Sequence, residues 1–464
     1  MIIEAPEVRQ TYDLVISNGT LITTERVFNG DLGINGETIV AIGENLIGRQ
    51  AIDAGGMYVL PGAIDVHVHL GMPIGQFVST DDFYHGTRAA AFGGTTTIID
   101  FVETGANETM LEALAARKAK ADDKVIIDYG LHMTIGPADI ARLDQVRHAR
   151  EAGCGSFKLY MAYGLRLQDG ELLEAMAAVR DAGGLPVIHA ENWDLITTLI
   201  RRNLAAGRTT PDWHPRSRPA SFEAEAAGRA IDIAMFVGSP LYIFHVSCRA
   251  TAERIAHAKA GGMPISGETC PQYLYLTQDV YDRQGVAGAL PVCSPPLRPK
   301  ADQEALWDAL VDGTLDVVST DHCPFTVEEK ATGLADFSRI PGGVPSIESR
   351  LSLVYKGLVQ RYGDENRTEA LRRWVDICCT TPADLFGMSR KGRLRIGNDA
   401  DIVIFDPRKE ITISPATLHE TAGWTPYEGQ KIQGWPAVTL SRGEIIIRDH
   451  ECIGQAGRGR FISR

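Results

Sequence analysis

Apolar and polar positions divide this chain into three stretches. Over about the first 60 residues, short apolar runs alternate with turn formers. YDLVISNGTLIT contains Asn18-Gly19 and DLGINGETIVAIG contains Asn35-Gly36, two dipeptides of the kind that close hairpins. The last 70 or so residues look alike: LRIGNDADIVIFD, KEITIS and AVTLSRGEIIIRD each read as strand, with no helical period. Between them lie eight β-branched runs: VLPGAIDVHVHL, TTTIIDF, VIIDYGLHM, SFKLYM, LPVIHAE, LYIFHVS, MPISGETC and LDVVSTDH. Segments rich in Ala, Leu, Glu and Arg, such as MLEALAARKAKA, ELLEAMAAVRDAG and AERIAHAKAGG, separate them and read as helices. Eight β–α alternations predict parallel strands joined by crossover helices, and eight strands close a barrel. An open doubly wound sheet is the alternative, weakened by the absence of a GxGxxG loop. The expected α/β fold is therefore a (β/α)8 TIM barrel over residues 60–392. A smaller β-sandwich is expected from residues 1–59 and 393–464. The long connection from Asn192 to Pro240, with its irregular TTPDWHPRSRPAS, is a candidate lid.

Composition narrows the class only at its edges. Hydrophobic residues make up 44% and charged residues 23%, as in an ordinary globular protein. A net charge of −13 without a Lys/Arg block speaks against a nucleic-acid or anionic-membrane partner. No uncharged apolar run approaches the roughly 18 residues of a spanning helix. The opening MIIEAPEVRQTYDLVISNG carries early acidic residues and lacks the apolar core of a signal peptide. The eight cysteines contain no CxxC pair and are expected as reduced thiols in a cytoplasmic protein.

The chemistry sits at the ends of the eight runs. In the first, His67-Val68-His69 puts two imidazoles on the same face, because strand side chains alternate. The fourth carries Lys158 in an apolar run, and the fifth and sixth end at His189 and His245. The eighth ends at Asp321. Barrel enzymes build their sites at that rim. Imidazole and carboxylate ligands suit zinc, with manganese, cobalt or nickel as substitutes. A buried ammonium beside such cations would be repelled as well as desolvated. Carboxylation of Lys158 by carbon dioxide would turn it into an anion able to bridge two metals. His322 would face away from Asp321. His85, His132, His148, His214, His257, His419 and His450 share no strand-end spacing and read as surface or packing residues. Glu191 reads either as a neighbour of the metals or as a structural group, and Cys270 and Cys323 as packing.

HVHL, FKLYMAY, VIHAEN, FHVS, CSPPLR and STDHCPF, in this order, resemble the dihydropyrimidinase/hydantoinase family of cyclic amidohydrolases, over nearly the whole chain. The resemblance implies a hydrolase that opens a 5,6-dihydropyrimidine or 5-substituted hydantoin to an N-carbamoyl amino acid. It implies that His67 and His69 hold a buried metal, His189 and His245 an exposed one, and carboxylated Lys158 both. Asp321 would bind the buried metal and shuttle a proton. Tyr163 would donate to the carbonyl oxygen, and Ser294 and Gly342 would hold the ring through backbone groups. From the residues alone, Tyr163 reads equally as a half-buried loop tyrosine and Ser294 as part of a turn. A homotetramer or dimer is implied, with the C-terminal segment assisting assembly. Two positions depart from the family: Gly71 stands where Asp is common, and Gly342 where Asn is common. Allantoinase uses the same metal set and is the alternative activity. Dihydroorotase would place an Arg at position 71. A non-catalytic scaffold would be expected to lose ligands, and all six positions are present.

Overall fold

The computed structural model describes residues 11–105 and 107–464. Residues 1–10, which belong to the expected 1–59 segment and to the stretch read for a signal peptide, lie outside the described residues. Along the chain, β1 (Thr11–Ile22), β2 (Val27–Asn35), β3 (Thr38–Gly43), β4 (Ile47–Asp53) and β5 (Tyr58–Pro61) begin one sheet. The barrel starts with β6 (Ala63–Asp65), and a short hairpin, β7 (Pro73–Ile74) and β8 (Phe77–Val78), follows. The barrel continues through β9 (Thr95–Val102), β10 (Asp128–Thr134), β11 (Ser156–Tyr160), β12 (Leu185–His189), β13 (Leu241–Ile243), β14 (Ile265–Thr269) and β15 (Val317–Val318). The chain then returns to the first sheet through β16 (Ile402–Thr412), β17 (Lys431–Ser441), β18 (Glu444–Arg448) and β19 (Glu451–Cys452).

The eight barrel strands lie in the order β6-β9-β10-β11-β12-β13-β14-β15, parallel throughout, so each of the eight β-branched runs contributes one. Every residue of β9 and of β10 is buried, as expected for strands between a filled barrel and a ring of helices. The helices are specified locally as well. Met110–Ala121 opens on a Thr109/Glu112 capping box and carries Lys118 and Lys120 in its last turn. Between β15 and β6 the ladder is replaced by a single parallel bridge, Val68 with His322, where the His69 N–H donates to the His322 carbonyl at 2.8 Å. The run VLPGAIDVHVHL thus serves two sheets. It divides at Gly62, where a Cβ would fall 2.0 Å from Thr96 Oγ1.

The sheet from the two ends of the chain runs β19-β18-β17-β16-β5-β1-β2-β3, with β4 pairing β1 beside β5. It closes over its own core, which includes Ile16, Leu32, Ile39, Ile402 and Leu440. Two local expectations are corrected here. Asn18-Gly19 makes no hairpin. It is a bulge inside β1, with Asn18 at φ 60°, its side chain donating to Asp53 Oδ1 at 3.0 Å and its backbone N–H donating to Asp31 Oδ1. Gly19 lies so close to β5 that a Cβ would meet Val59 at 2.5 Å. KEITIS is no separate strand. It continues β16 past an irregularity between Asp406 and Glu410. The second dipeptide, Asn35-Gly36, does sit at the β2–β3 turn.

The connection after β12 folds into helices Trp193–Ala205, Trp213–Ser217 and Ala220–Val237. It is packed down rather than poised over the barrel mouth. His214 donates to the Cys293 carbonyl at 2.8 Å, Asn203 donates to Ser217, and Arg218 is buried against Glu191. The lid expected there is absent among the described residues. The mouth is walled by the β7–β8 hairpin, the loop after β11, and the segment around Ser338–Gly342.

Candidate active site

Six side chains reach one point from five strand ends. His67 and His69 lie just past the end of β6, extended by the bridge to His322. Lys158 is on β11, His189 closes β12, His245 follows β13 and Asp321 follows β15. His67 Nε2 and His69 Nε2 each stand 3.1 Å from Asp321 Oδ1. His189 Nδ1 stands 2.9 Å from His245 Nε2. Donor atoms of His67, His245 and Asp321 lie within 4.8 Å of one another. Lys158 Nζ has no hydrogen-bond or ion-pair partner among the described residues. It faces the rings of Phe244 at 4.0 Å, Tyr160 at 4.8 Å and Phe101 at 5.3 Å. Tyr163, His245 and Asp321 have φ of 66°, 40° and 51°. Left-handed backbone at non-glycine residues costs roughly 1–3 kcal/mol each and gathers where function demands a geometry.

The electrostatics fit a divalent cation. Burial drives His67 and His245 well below the usual imidazole range. Burial alone would raise Asp321, but the surrounding His67, His69 and His245 hold its carboxyl well below the usual range. Burial brings Lys158 down to about 7, against the pull of Asp321 and Glu268. His189 Nε2 lies 2.9 Å from Glu191 Oε2, and Arg218 donates to that oxygen at 2.5 Å. Arg218 and His189 outweigh the burial of Glu191 and hold it down to about 2. That carboxylate can only accept, so His189 carries its proton on Nε2 and turns the Nδ1 lone pair toward His245 Nε2. Two ring nitrogens 2.9 Å apart and a shared carboxylate make a donor set of the kind that could hold a divalent metal ion.

Above these groups opens a cavity of about 840 Å³. Tyr163, Ser294 and Gly342 line it, and so do residues 73–77 of the β7–β8 hairpin and Gly164 and Leu165 of the loop after β11. The Tyr163 ring lies edge-on to His189 at 5.3 Å, and burial raises its hydroxyl pKa. A Cβ on Gly342 would lie 3.5 Å from Ser294 Oγ, so the two residues are neighbours. Gly71 is not among the lining residues. It sits at φ 55° beneath the rim, with its N–H donating to the Asp81 carbonyl at 2.7 Å.

The model describing the amidohydrolase family matches residues 58–446. The chain belongs to that family. It is 42% identical over 457 residues to a D-hydantoinase of Geobacillus stearothermophilus, covering 97% of this chain and 96% of the relative. It also superposes on the crystal structure of dihydropyrimidinase from Brevibacillus agri NCHU1002 with a TM-score of 0.94 and 41% identity, covering 97% of this chain and 98% of that one. The L-hydantoinase (dihydropyrimidinase) from Arthrobacter aurescens gives a TM-score of 0.90 at 29% identity, covering 98% of this chain and all of that one. The protein is a cyclic amidohydrolase of the dihydropyrimidinase/hydantoinase kind.

Several groups around this amidohydrolase site are silent in the sequence. Glu268 on β14 faces His67 Nδ1 at 2.6 Å and accepts from Tyr242 and the His245 N–H. Burial pushes its carboxyl up to about 8. Arg218, from the connection read as a lid, pins Glu191. Lys330 bonds the backbone beside both Ser294 and Gly342. His322 does turn away from the site, toward Asp81 at 2.9 Å. His132 is packed among Phe101, Phe244 and Phe386 on the barrel axis, bonded to Ser156 and the Val66 carbonyl. The eight cysteines are unpaired, and Cys270 and Cys323 are buried. No helix among the described residues is long and apolar enough to cross a membrane.

Proposed function

We propose that this amidohydrolase opens 5,6-dihydropyrimidine or 5-substituted hydantoin rings to N-carbamoyl amino acids. The observation that carries the reading is the convergence of His67, His69, His189, His245 and Asp321 around the buried Lys158 at the floor of the cavity. Two divalent cations, zinc being the best match to this donor set, would be held by His67, His69 and Asp321 on one side and His189 and His245 on the other. Lys158 would lie between them as a carbamate: its amine adds to carbon dioxide, an N–C bond forms and one proton leaves. The amine stripped of ion pairs and lowered to about 7 favours that addition. When bound, the ions lower the pKa of a water and polarise the substrate carbonyl. Asp321, held ionised, accepts the proton of the attacking water and delivers it to the departing ring nitrogen. The Tyr163 hydroxyl, kept protonated by its raised pKa, donates to the oxyanion that develops.

Ser294 and Gly342 would grip the ring amide. The neighbouring carbonyls of Val292, Cys293, Pro295 and Pro341 are all engaged by protein donors. The backbone N–H and C=O of Ser294 and Gly342 have no protein partner among the described residues. A cavity of 840 Å³ leaves space beyond a single five- or six-membered ring, which suits a ring substituent. Residues 60–392 are taken as the catalytic unit, with the chain passing between its two sheets at Gly62. A homotetramer or dimer in the cytoplasm is proposed with it, in keeping with eight unpaired cysteines. The test is a panel of dihydrouracil, hydantoins of each hand, allantoin and dihydroorotate, assayed with zinc, cobalt and manganese alongside metal analysis. The expected outcome is about two ions per chain and N-carbamoyl amino acid from the first two classes. Turnover of allantoin alone, or a protein that binds no metal, would overturn the reading.

A further inference from the structure

Lys330 lies on the short helix Val327–Ala331, opened by a Thr326/Glu329 capping box, and its side chain is fully buried. It has no carboxylate partner among the described residues. Its Nζ donates to the Val292 carbonyl at 2.7 Å and to the Pro341 carbonyl at 2.7 Å. Val292 is two residues before Ser294, and Pro341 directly precedes Gly342. The aromatic faces of Phe325 and Trp424 stand 5.8 and 5.9 Å away. Burial lowers its pKa to about 7. A methionine would fill the same apolar shaft without that desolvation cost, so packing does not account for an amine here.

The surrounding network shows what the amine holds. Gly343 N–H also donates to the Val292 carbonyl, at 3.0 Å. Gly343 has φ 148° and no room for a Cβ, which would fall 2.3 Å from the Cys323 carbonyl. His214 takes the Cys293 carbonyl and the Tyr273 hydroxyl the Pro295 carbonyl. Two loops from distant parts of the chain are thereby tied at their necks, while Ser294 and Gly342 present free backbone groups to the cavity. We propose that Lys330 is a positioning residue that fixes the Ser294 and Gly342 segments relative to each other as one clamp on the ring amide. This rests on the ring-amide reading of those two residues given above.

The test compares the metal-loaded enzyme with its Lys330→Met and Lys330→Gln variants. Two reactions are followed: opening of a hydantoin or dihydrouracil ring, and metal-dependent hydrolysis of p-nitrophenyl acetate, which needs activated water but no ring clamp. For Lys330→Met the KM for the ring is expected to rise about 10-fold or more. Metal content should be unchanged and ester turnover should stay within about twofold. Lys330→Gln, which keeps a shorter donor, should fall between and carries the comparison if Lys330→Met does not fold. An unchanged ring KM, or equal loss of both reactions in the variants, overturns the positioning role. An unsubstituted enzyme that cleaves the ester and no ring sinks the clamp reading itself, and Lys330's role with it.

Discussion

Lys158 concentrates the electrostatic problem of the site in one side chain. Four imidazoles surround it, burial strips its solvent, and Asp321 and Glu268 offset the cost only in part. As an ammonium it opposes any cation beside it; as a carbamate it becomes the anion that two cations need. Lys158→Ala is therefore expected to lose most bound metal and to lower kcat/KM by at least about 100-fold. Acetate or propionate supplied in solution should restore part of both. Metal analysis and turnover with and without the added acid check this, and full activity in the variant would remove the lysine from the reaction. The six polar positions were legible in sequence because each lies at or near the end of a β-branched run, and such ends meet at one rim. Their supports were not. Glu268 lies 201 residues from His67, and Arg218 lies 27 residues from Glu191 in a segment whose composition suggested a loop. Closure of the barrel brings the first pair together, and the folding of the connection after β12 into helices the second.

Barrel closure is itself made by side chains at one seam. β15 has two residues and β6 three, and they share no ladder with each other. Arg350, fully buried on helix Arg350–Tyr362, spans the gap by donating to the Ile64 carbonyl at 2.9 Å and the Val318 carbonyl at 2.8 Å. It also reaches Thr95 Oγ1, while Thr320 donates to Asp65 from its hydroxyl and its N–H. The seam therefore sets the spacing of His67 and His69 from Asp321. Arg350→Met leaves two carbonyls without their donor and takes away the cation that stands 3.7 Å from the buried Asp65, a class of change that costs about 3–5 kcal/mol. A lowered melting temperature in the metal-free protein, with weaker metal retention, is expected; calorimetry and metal titration measure the two. An unchanged melting temperature would mean that the Val68–His322 bridge closes the seam unaided. The parallel barrel was readable from periodicity at this scale, but the local pairing within the sheet from the chain ends was not. Asn18-Gly19 has the composition of a hairpin turn, and the approach of β5 and the Asp31 and Asp53 side chains makes it a bulge.

At the scale of the whole molecule, the barrel and the sheet from the two chain ends meet over a buried ionic cluster. Lys391 Nζ lies 2.6 Å from Asp128 at the start of β10, 2.6 Å from Asp401 just before β16, and 3.0 Å from Asp399. Arg442 closes the cluster, its N–H donating to Asp401 at 2.7 Å and its guanidinium lying 3.2 Å from Asp128. Three carboxylates this close could hold a metal ion, and the ammonium of Lys391 occupies that place. Each of these residues is unremarkable in the sequence, since a lysine and three aspartates spread over 274 positions share no period. Burial alone would lower the pKa of Lys391, but Asp401, Asp128 and Asp399 outweigh it and raise it well above the usual lysine range. A base whose pKa is raised on folding contributes stability that is fully present below its unfolded value of about 10.4. That contribution drains away as pH climbs from there through the raised folded value. Lys391→Met should accordingly lower stability at neutral pH by about 3–5 kcal/mol, since it leaves buried carboxylates short of a cation. The gap in melting temperature between the unsubstituted protein and the variant should stay constant from pH 7 to about 10 and narrow above that. Thermal unfolding followed by circular dichroism at stepped pH reads it directly. A gap that stays level past pH 11 or so, or no gap at neutral pH, would show that the two sheets are held together by their apolar contacts and not by this lysine.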